Sequence, residues 1–332
     1  ALEYYRGEMT DTPAMTGRSS VVSKDVADTI GWMLPGIIRV FTASDRMALY
    51  EPERPGDEQF AEQATDYANF VFMRDNPGYR IMWDATHDSL LLGNGVIKHW
   101  WDDKEECEYT EHSGLTEEQI AILESDQSVE VVAQKKGEPQ VILAPGPDGQ
   151  MMEVPIPTYD VKVKRITRSG RLRVECIEPE DFLLDRDATQ IEKFRFCAHR
   201  QDTTRSDLIE MGFDRELVES LPADRFSSIR EEKLSRDENA GVFTNNVGDE
   251  SMLQVELFEC YGKMDVDGDG VAETVRAFYA GAAGTGELLD WEVWEDDVPF
   301  SDIPCEPIPH RWDARSIADD TSDIQRIKTV LT

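Results

Sequence analysis

From residue 19 to residue 33 the apolar side chains Val22, Val26, Ile30 and Met33 recur at steps of three and four, the spacing of one helical face. Pro35-Gly36 then interrupts the run before Ile37 to Phe41 resumes it, so a kinked helix pair is expected. Asp57 is placed to cap a second helix whose Phe60, Ala64, Tyr67, Ala68 and Val71 form one stripe, closed by Asp75-Asn76-Pro77-Gly78. A third helix, about Tyr79 to Leu92, ends at Gly93-Asn94-Gly95.

Beyond that glycine pair the period changes. Val96 to Trp101 is a short β-rich run, and 129–134, 139–144, 158–167, 171–177, 193–200, 253–264, 271–280 and 287–294 read as strands. Turn residues separate them at Pro145 to Gly149, Ser169-Gly170 and Asp267 to Gly270. Short helices are expected at Thr116 to Glu124 and Ser206 to Leu221, and 222–252 reads as a long polar loop. Ser316 to Leu331 returns to a helical period, with Ile317, Ile324, Ile327, Val330 and Leu331 on or near one face. The pattern predicts an α+β chain in three parts: helices over 1–95, an inserted β-rich domain over 96–308, and a terminal helix over 309–332 that returns to the first helices.

Composition supports a globular reading. The 332 residues exceed the roughly 150 of one average domain, and 40% apolar residues with seven Trp and thirteen Phe supply material for a core. Charge changes the picture more. With 68 acids against 34 bases the formal charge is −34, which opposes adhesion to phosphate and argues against a nucleic-acid-binding module. The charge is also blocked. Residues 102–130 hold eleven acids and one lysine, 286–302 seven acids and no base, and 161–173 six bases and no acid. Such blocks are solvated faces or complementary contacts between copies.

The five cysteines (Cys107, Cys176, Cys197, Cys260, Cys305) are odd in number, scattered and without ligand spacing, which fits reduced thiols. No apolar run reaches the ~18 residues of a membrane span, and no signal segment opens the chain. The chain opens on Ala1 and stops at Thr332 inside a helical pattern, and is expected to be part of a longer protein.

Catalytic signatures are missing. The chain has no phosphate-binding glycine loop, no nucleophile elbow and no zinc-binding H-E-x-x-H pattern. His87, His99, His112, His199 and His310 are scattered, and the paired acids Glu105-Glu106 and Asp296-Asp297 have the character of surface residues. No catalytic and no cofactor-binding residue is expected, and the chain is read as not an enzyme.

One segment does carry ligand chemistry. In Asp265 to Glu273 the carboxylates of Asp265, Asp267 and Asp269 alternate with residues that let the chain wrap, and Gly270 permits a sharp turn. This is the opening half of a calcium loop. Its twelfth position is Arg276 where a bidentate glutamate would stand, and strands flank it, so an EF-hand is excluded. Two readings stay open: a weak Ca²⁺ site formed by Asp265, Asp267, Asp269 and Glu273, and a metal-free hairpin turn, which the missing ligand and the β flanks favour.

Four stretches resemble the portal proteins of short-tailed phages, the head-to-tail connectors. Gly17 to Val26 followed by Trp32-Met33-Leu34-Pro35 is similar to their entry into the first long helices. Leu91 to Lys98 resembles the step from helix to wing sheet, Asp265 to Glu273 a hairpin common in the family, and His310-Arg311-Trp312 through Lys328-Thr329 the approach to the stem helices. The resemblance implies a ring, usually dodecameric, at one capsid vertex in the virion, assembled in the host cytoplasm. It implies self-association, docking of the packaging motor, capsid and tail adaptors, and DNA that passes without tight binding. Stem, clip and crown segments would follow Thr332, so pore-lining residues are not assigned. Two other classes remain as rivals: a Ca²⁺-binding β-rich surface or adhesion module, and a hydrolase built on carboxylates brought together by the fold.

Overall fold

The computed structural model describes residues 1–11, 21–44, 46–126, 128–137, 139–145, 151–221, 249–281 and 286–331. The chain forms two compact units, one of Ala1–His99 with Val174–Thr332, the other of Trp100–Arg173. This division differs from the expected boundaries at 95 and 308, because the large sheet clusters with the helices. As expected, the class is α+β.

In the first unit, α1 (Leu2–Arg6), α2 (Asp25–Thr42), α4 (Gly78–Leu92) and α8 (Ile317–Leu331) pack together. Val26, Ile30, Leu34 and Ile38 lie four residues apart along α2 and are buried against Met82, Leu90, Leu91 and Ala318. Pro35 does not break α2, contrary to the expected kinked pair; one helix runs through it. A proline deprives the carbonyl four residues earlier of its donor and crowds it. Here that carbonyl belongs to Gly31, which has no side chain, and both residues lie on the solvent face where water can serve the carbonyl.

The stripe predicted for α3 (Glu58–Phe70) is only partly buried: Val71 is buried and Ala64 and Ala68 are half-buried, but its two aromatics are not. Ala61, Thr65 and Asn69 are buried, while Phe60 and Tyr67 face outward. The cause is the segment at residues 46–50, which covers one side of the helix. Asn69 Oδ1 accepts from the N–H groups of Met47 and Ala48 at 2.7 and 3.1 Å, and Thr65 Oγ1 accepts from Tyr50 N at 2.9 Å. A strap with unpaired backbone groups needs hydrogen-bonding side chains beneath it, so the polar residues turn inward and the aromatics outward. The helix continues as a π turn over Val71–Asp75.

A five-stranded antiparallel sheet belongs to the same unit, in the order β10-β9-β8-β7-β6. Its strands are β6 (Phe182–Leu184), β7 (Phe196–Thr204), β8 (Gln254–Met264), β9 (Glu273–Ala280) and β10 (Glu287–Val293). Phe182, Cys197, Tyr261 and Phe300 are central to the core on one side, and Leu208, Val218, Val255 and Leu257 form a second core. The latter is supplied in part by α6 (Arg205–Glu210) and α7 (Arg215–Ser220), two short helices where one was expected over 206–221. Most of the expected loop at 222–252 lies outside the described residues, as do residues 146–149 of the turn expected at Pro145 to Gly149 and Gly17 to Ser20 at the head of the first helical pattern.

In the first unit β1 (Asn94–Leu115) pairs with β11 (Phe300–Pro304), and in the second β5 (Tyr159–Ile177) pairs with β2 (Val129–Lys136). The turn expected at Ser169-Gly170 does not form: β5 is continuous. Gly170 serves a close approach instead, since a Cβ there would collide with the Trp101 indole. The acidic and basic blocks then meet within one chain. Asp102 on β1 pairs with Arg171 and Arg173 on β5 at 3.3 and 3.1 Å, and Glu111 with Lys162 at 3.6 Å. The second unit is completed by α5 (Glu117–Glu124), started by a capping box of Thr116 and Gln119, and by a ribbon of β3 (Gln140–Pro145) with β4 (Met151–Ile156). Its small core centres on Ile120, Val161 and Val163. In the first unit a two-stranded ribbon, β12 (Glu306–Pro307) with β13 (Ala314–Arg315), leads into α8.

Candidate functional site

Two polar constellations stand out in the first unit, one buried between β1 and the five-stranded sheet and one exposed at an end of that sheet. The buried one follows from strand alternation. Lys98 shares a face of β1 with Val96, and Glu259 shares a face of β8 with Leu257 and Tyr261, so two charges occupy apolar-facing positions. Lys98 Nζ donates to Glu259 Oε2 at 2.7 Å, and both side chains are almost wholly buried. Tyr261 Oη and Arg276 donate to the other oxygen, Oε1, at 2.7 and 3.0 Å. The Arg276 guanidinium lies over the rings of Phe278 and Trp294, at 4.6 and 5.0 Å from their centroids. Burial opposes the charge on Glu259, but Lys98 and Arg276 outweigh it and hold the carboxyl below its ordinary range.

His199 closes this network. Its Nδ1 lies 2.6 Å from Gln201 Nε2 and 3.4 Å from Lys98 Nζ, and both neighbours are donors, so Nδ1 accepts and the proton sits on Nε2. Burial, reinforced by Lys98, pushes the imidazole down to about 4. A histidine held neutral between a lysine and an amide is fixed in place rather than poised for proton transfer. Glu175, beside the same ions, is pushed upward by burial. A cavity of about 300 Å³ lies elsewhere on this unit, and its carboxylates, Glu192, Asp296 and Asp297, are exposed.

The exposed constellation is the hairpin between β8 and β9. Asp265, Asp267 and Asp269 each bring one oxygen to within 4.8 Å of the others. Their carboxylates fold back on the loop's own backbone. Asp265 accepts from Gly268 N at 2.7 Å and Gly270 N at 3.0 Å, Asp267 from Asp269 N at 3.1 Å, and Asp269 from Val271 N at 2.7 Å. Glu273 accepts from Val266 N at 2.9 Å across the hairpin. Gly268 and Gly270, at φ 79° and 91°, supply the left-handed turns. The all-oxygen donor set suits a hard cation, and the N–H groups already offset the crowding of three negative charges.

The family of the chain is decided by comparison. The family model described as Phage SU10 portal protein matches residues 1–332. The chain belongs to that family. No curated protein matches it. The chain is therefore a structural portal subunit for DNA packaging and a component of the virion. Portals of this family are structural rather than enzymatic, and they are homo-oligomers that work with capsid and motor proteins. The resemblance seen in the helix entry, the wing step and the stem approach was to this family. Among the described residues no helix is long and apolar enough to cross a membrane.

The portal's buried network was not anticipated, although a signal existed: a lysine and a glutamate in register with apolar alternation. The portal fold also depends on Gln325 of α8, fully buried and bonded to both α1 and α2, for which the sequence held no local sign.

Proposed function

We propose that this portal subunit forms a closed, dodecameric ring at one capsid vertex, assembled in the host cytoplasm, through which DNA is packaged and later ejected. The reading is carried by the family match over the whole chain. In it the helices form the body, the β-rich region the wing, and α8 the start of the stem, while the packaging motor and tail adaptors dock on the assembled ring. The subunit acts as a conduit without catalytic chemistry of its own. The charge of −34 supports this, because a surface that repels phosphate lets DNA slide rather than bind.

In the same reading the 265–273 hairpin is a rigid turn that needs no metal, with Asp265, Asp267, Asp269 and Glu273 serving the backbone. The network of backbone N–H donors supports it. Negative-stain images of the full gene product test the function: rings with a central hole are expected. Only monomers by light scattering at high concentration would overturn it.

A further inference from the structure

A long strand in each unit has a free hydrogen-bonding edge. β10, seven residues and exposed along most of its length, pairs with β9 alone and closes the five-stranded sheet. β2, eight residues, pairs with β5 alone and closes the sheet of the second unit. In an antiparallel ladder successive residues turn their N–H and C=O groups to opposite sides. Trp294 N donates to the Thr274 carbonyl at 2.8 Å, so Trp294 and Glu292 face β9 and the groups of Trp291 and Val293 point out from the edge. Within the strand the outward Trp291 N–H is accepted by the Asp290 carboxylate, at 2.8 Å. On β2, Gly137 N donates to the Thr158 carbonyl at 2.8 Å, which leaves the groups of Lys136 and Gln134 pointing outward.

The two edges differ in charge. Asp290 and Glu292 share one face of β10, and Trp291 and Val293 share the other. Glu292 already holds Arg276, whereas Asp290 has no cation among the described residues. On β2, Lys135 and Ala133 share the face opposite Gln134 and Lys136. Lys135 is exposed and forms no ion pair among the described residues: Asp160, its neighbour across the sheet, accepts from Gly114 N at 3.1 Å instead.

We propose that β10 of one copy pairs antiparallel with β2 of the next, with Trp291 opposite Gln134 and Asp290 opposite Lys135. This rests on the ring reading above and names the edges that join its subunits. The backbone decides the charge match. Outward groups must meet outward groups, so Trp291 stands opposite Gln134 or Lys136, and in both registers Lys135 falls on the face of Asp290 and Glu292. The first register sets it against the acid that lacks a cation. Asp290 then releases the Trp291 N–H to the Gln134 carbonyl and takes the ammonium of Lys135. A ring contact is heterologous and needs two different surfaces on each copy, which these edges are. The other edges of the two sheets are shorter: β6 has three residues, and β11 has five and ends on Pro304. Acids and a bulge keep a free edge from pairing at random, and β10 has both. A strand admitted there needs a base opposite Asp290, and β2 carries one.

The test is site-directed cross-linking in the full gene product, with the exposed Cys107 changed to serine. In the proposed register Ala133 and Glu292 stand directly opposite, with Cβ atoms about 4.5–5.5 Å apart. Chains carrying Ala133→Cys are co-expressed with chains carrying Glu292→Cys and treated with a short thiol cross-linker, and circular dichroism checks that each variant is folded. Covalent pairs are expected in the mixture and not in either variant alone. Asp290→Lys should lower ring yield severalfold, and Lys135→Asp in the same chain should restore it, because every contact of the ring then carries the exchanged pair. Rings seen in negative stain without cross-links, or a ring yield that Asp290→Lys leaves unchanged, would overturn this contact and leave the ring reading intact. Monomers in every variant and in the parent would overturn both.

Discussion

Gln325 and Val26, 299 residues apart, share a buried hydrogen bond: the Gln325 Oε1 accepts from the Val26 N–H at 3.0 Å. The amide of the same side chain donates to the Tyr4 carbonyl at 2.7 Å. Helix α2 has no side-chain cap at Lys24, and one of the orphan N–H groups of its first turn is satisfied by a helix from the other end of the chain. The bond therefore ties α1, α2 and α8 into one body.

Replacing Gln325 with leucine keeps the volume and removes both bonds. The buried Val26 N–H loses its partner, at roughly 1–3 kcal/mol, while the Tyr4 carbonyl keeps the Gly7 N–H. Chemical denaturation of Gln325→Leu should show a loss of about 1–3 kcal/mol, and an unchanged midpoint would show that the tie contributes nothing.

Lys98→Met leaves Glu259 buried with Arg276 as its remaining cation. Breaking a buried pair by removing one partner costs on the order of 3–5 kcal/mol. The loss should be partly recovered in Lys98→Met/Glu259→Gln, since the carboxylate left behind is then neutral. If the double variant is as unstable as the sum of the two single ones, the pair is not coupled.

The depressed pKa of His199 makes a pH prediction with a definite sign. In the unfolded chain it takes up a proton near pH 6.5; in the folded protein, surrounded by Lys98, Gln201, Glu259, Asp181 and the Phe300 ring, it does so only near 4. Between these values the unfolded state binds more protons, so stability falls as pH drops through the window, by roughly 3 kcal/mol in all. His199→Gln should flatten that part of the stability-against-pH curve. Identical slopes for the two proteins between pH 6.5 and 4 would refute the assignment.

The acidic hairpin is tested by thermal melts with and without millimolar Ca²⁺. The turn reading expects no shift in the parent or in Asp267→Ala, and a drop in Asp265→Ala, which loses the acceptor of the Gly268 and Gly270 N–H groups. A rise with Ca²⁺ that Asp267→Ala abolishes would establish the metal site instead, with weak affinity of about 10⁻⁴ to 10⁻³ M.

Local patterns in the chain were enough to place α4, β8, β9 and α8 within a few residues, because apolar spacing and turn residues act over one or two turns of chain. The same patterns misplaced Phe60 and Tyr67 of α3 and divided β5 at Ser169-Gly170. Phe60 and Tyr67 read as core because large apolar residues usually are, but the strap at residues 46–50 needed Thr65 and Asn69 beneath it. Gly170 read as a turn because glycine usually marks one, but Trp101 required its missing side chain.

By itself, the sequence determined the class of the fold, the excess of negative charge, the acidic turn at 265–273 and the resemblance to portals, all properties carried by composition or by residues near one another in the chain. Only the tertiary structure decided that Lys98 meets Glu259, that Gln325 completes α2, and that the acids of β1 face the bases of β5. Those pairings join residues tens to hundreds of positions apart. Their energies depend on which buried polar groups are brought together when the core closes, a condition that no local spacing encodes.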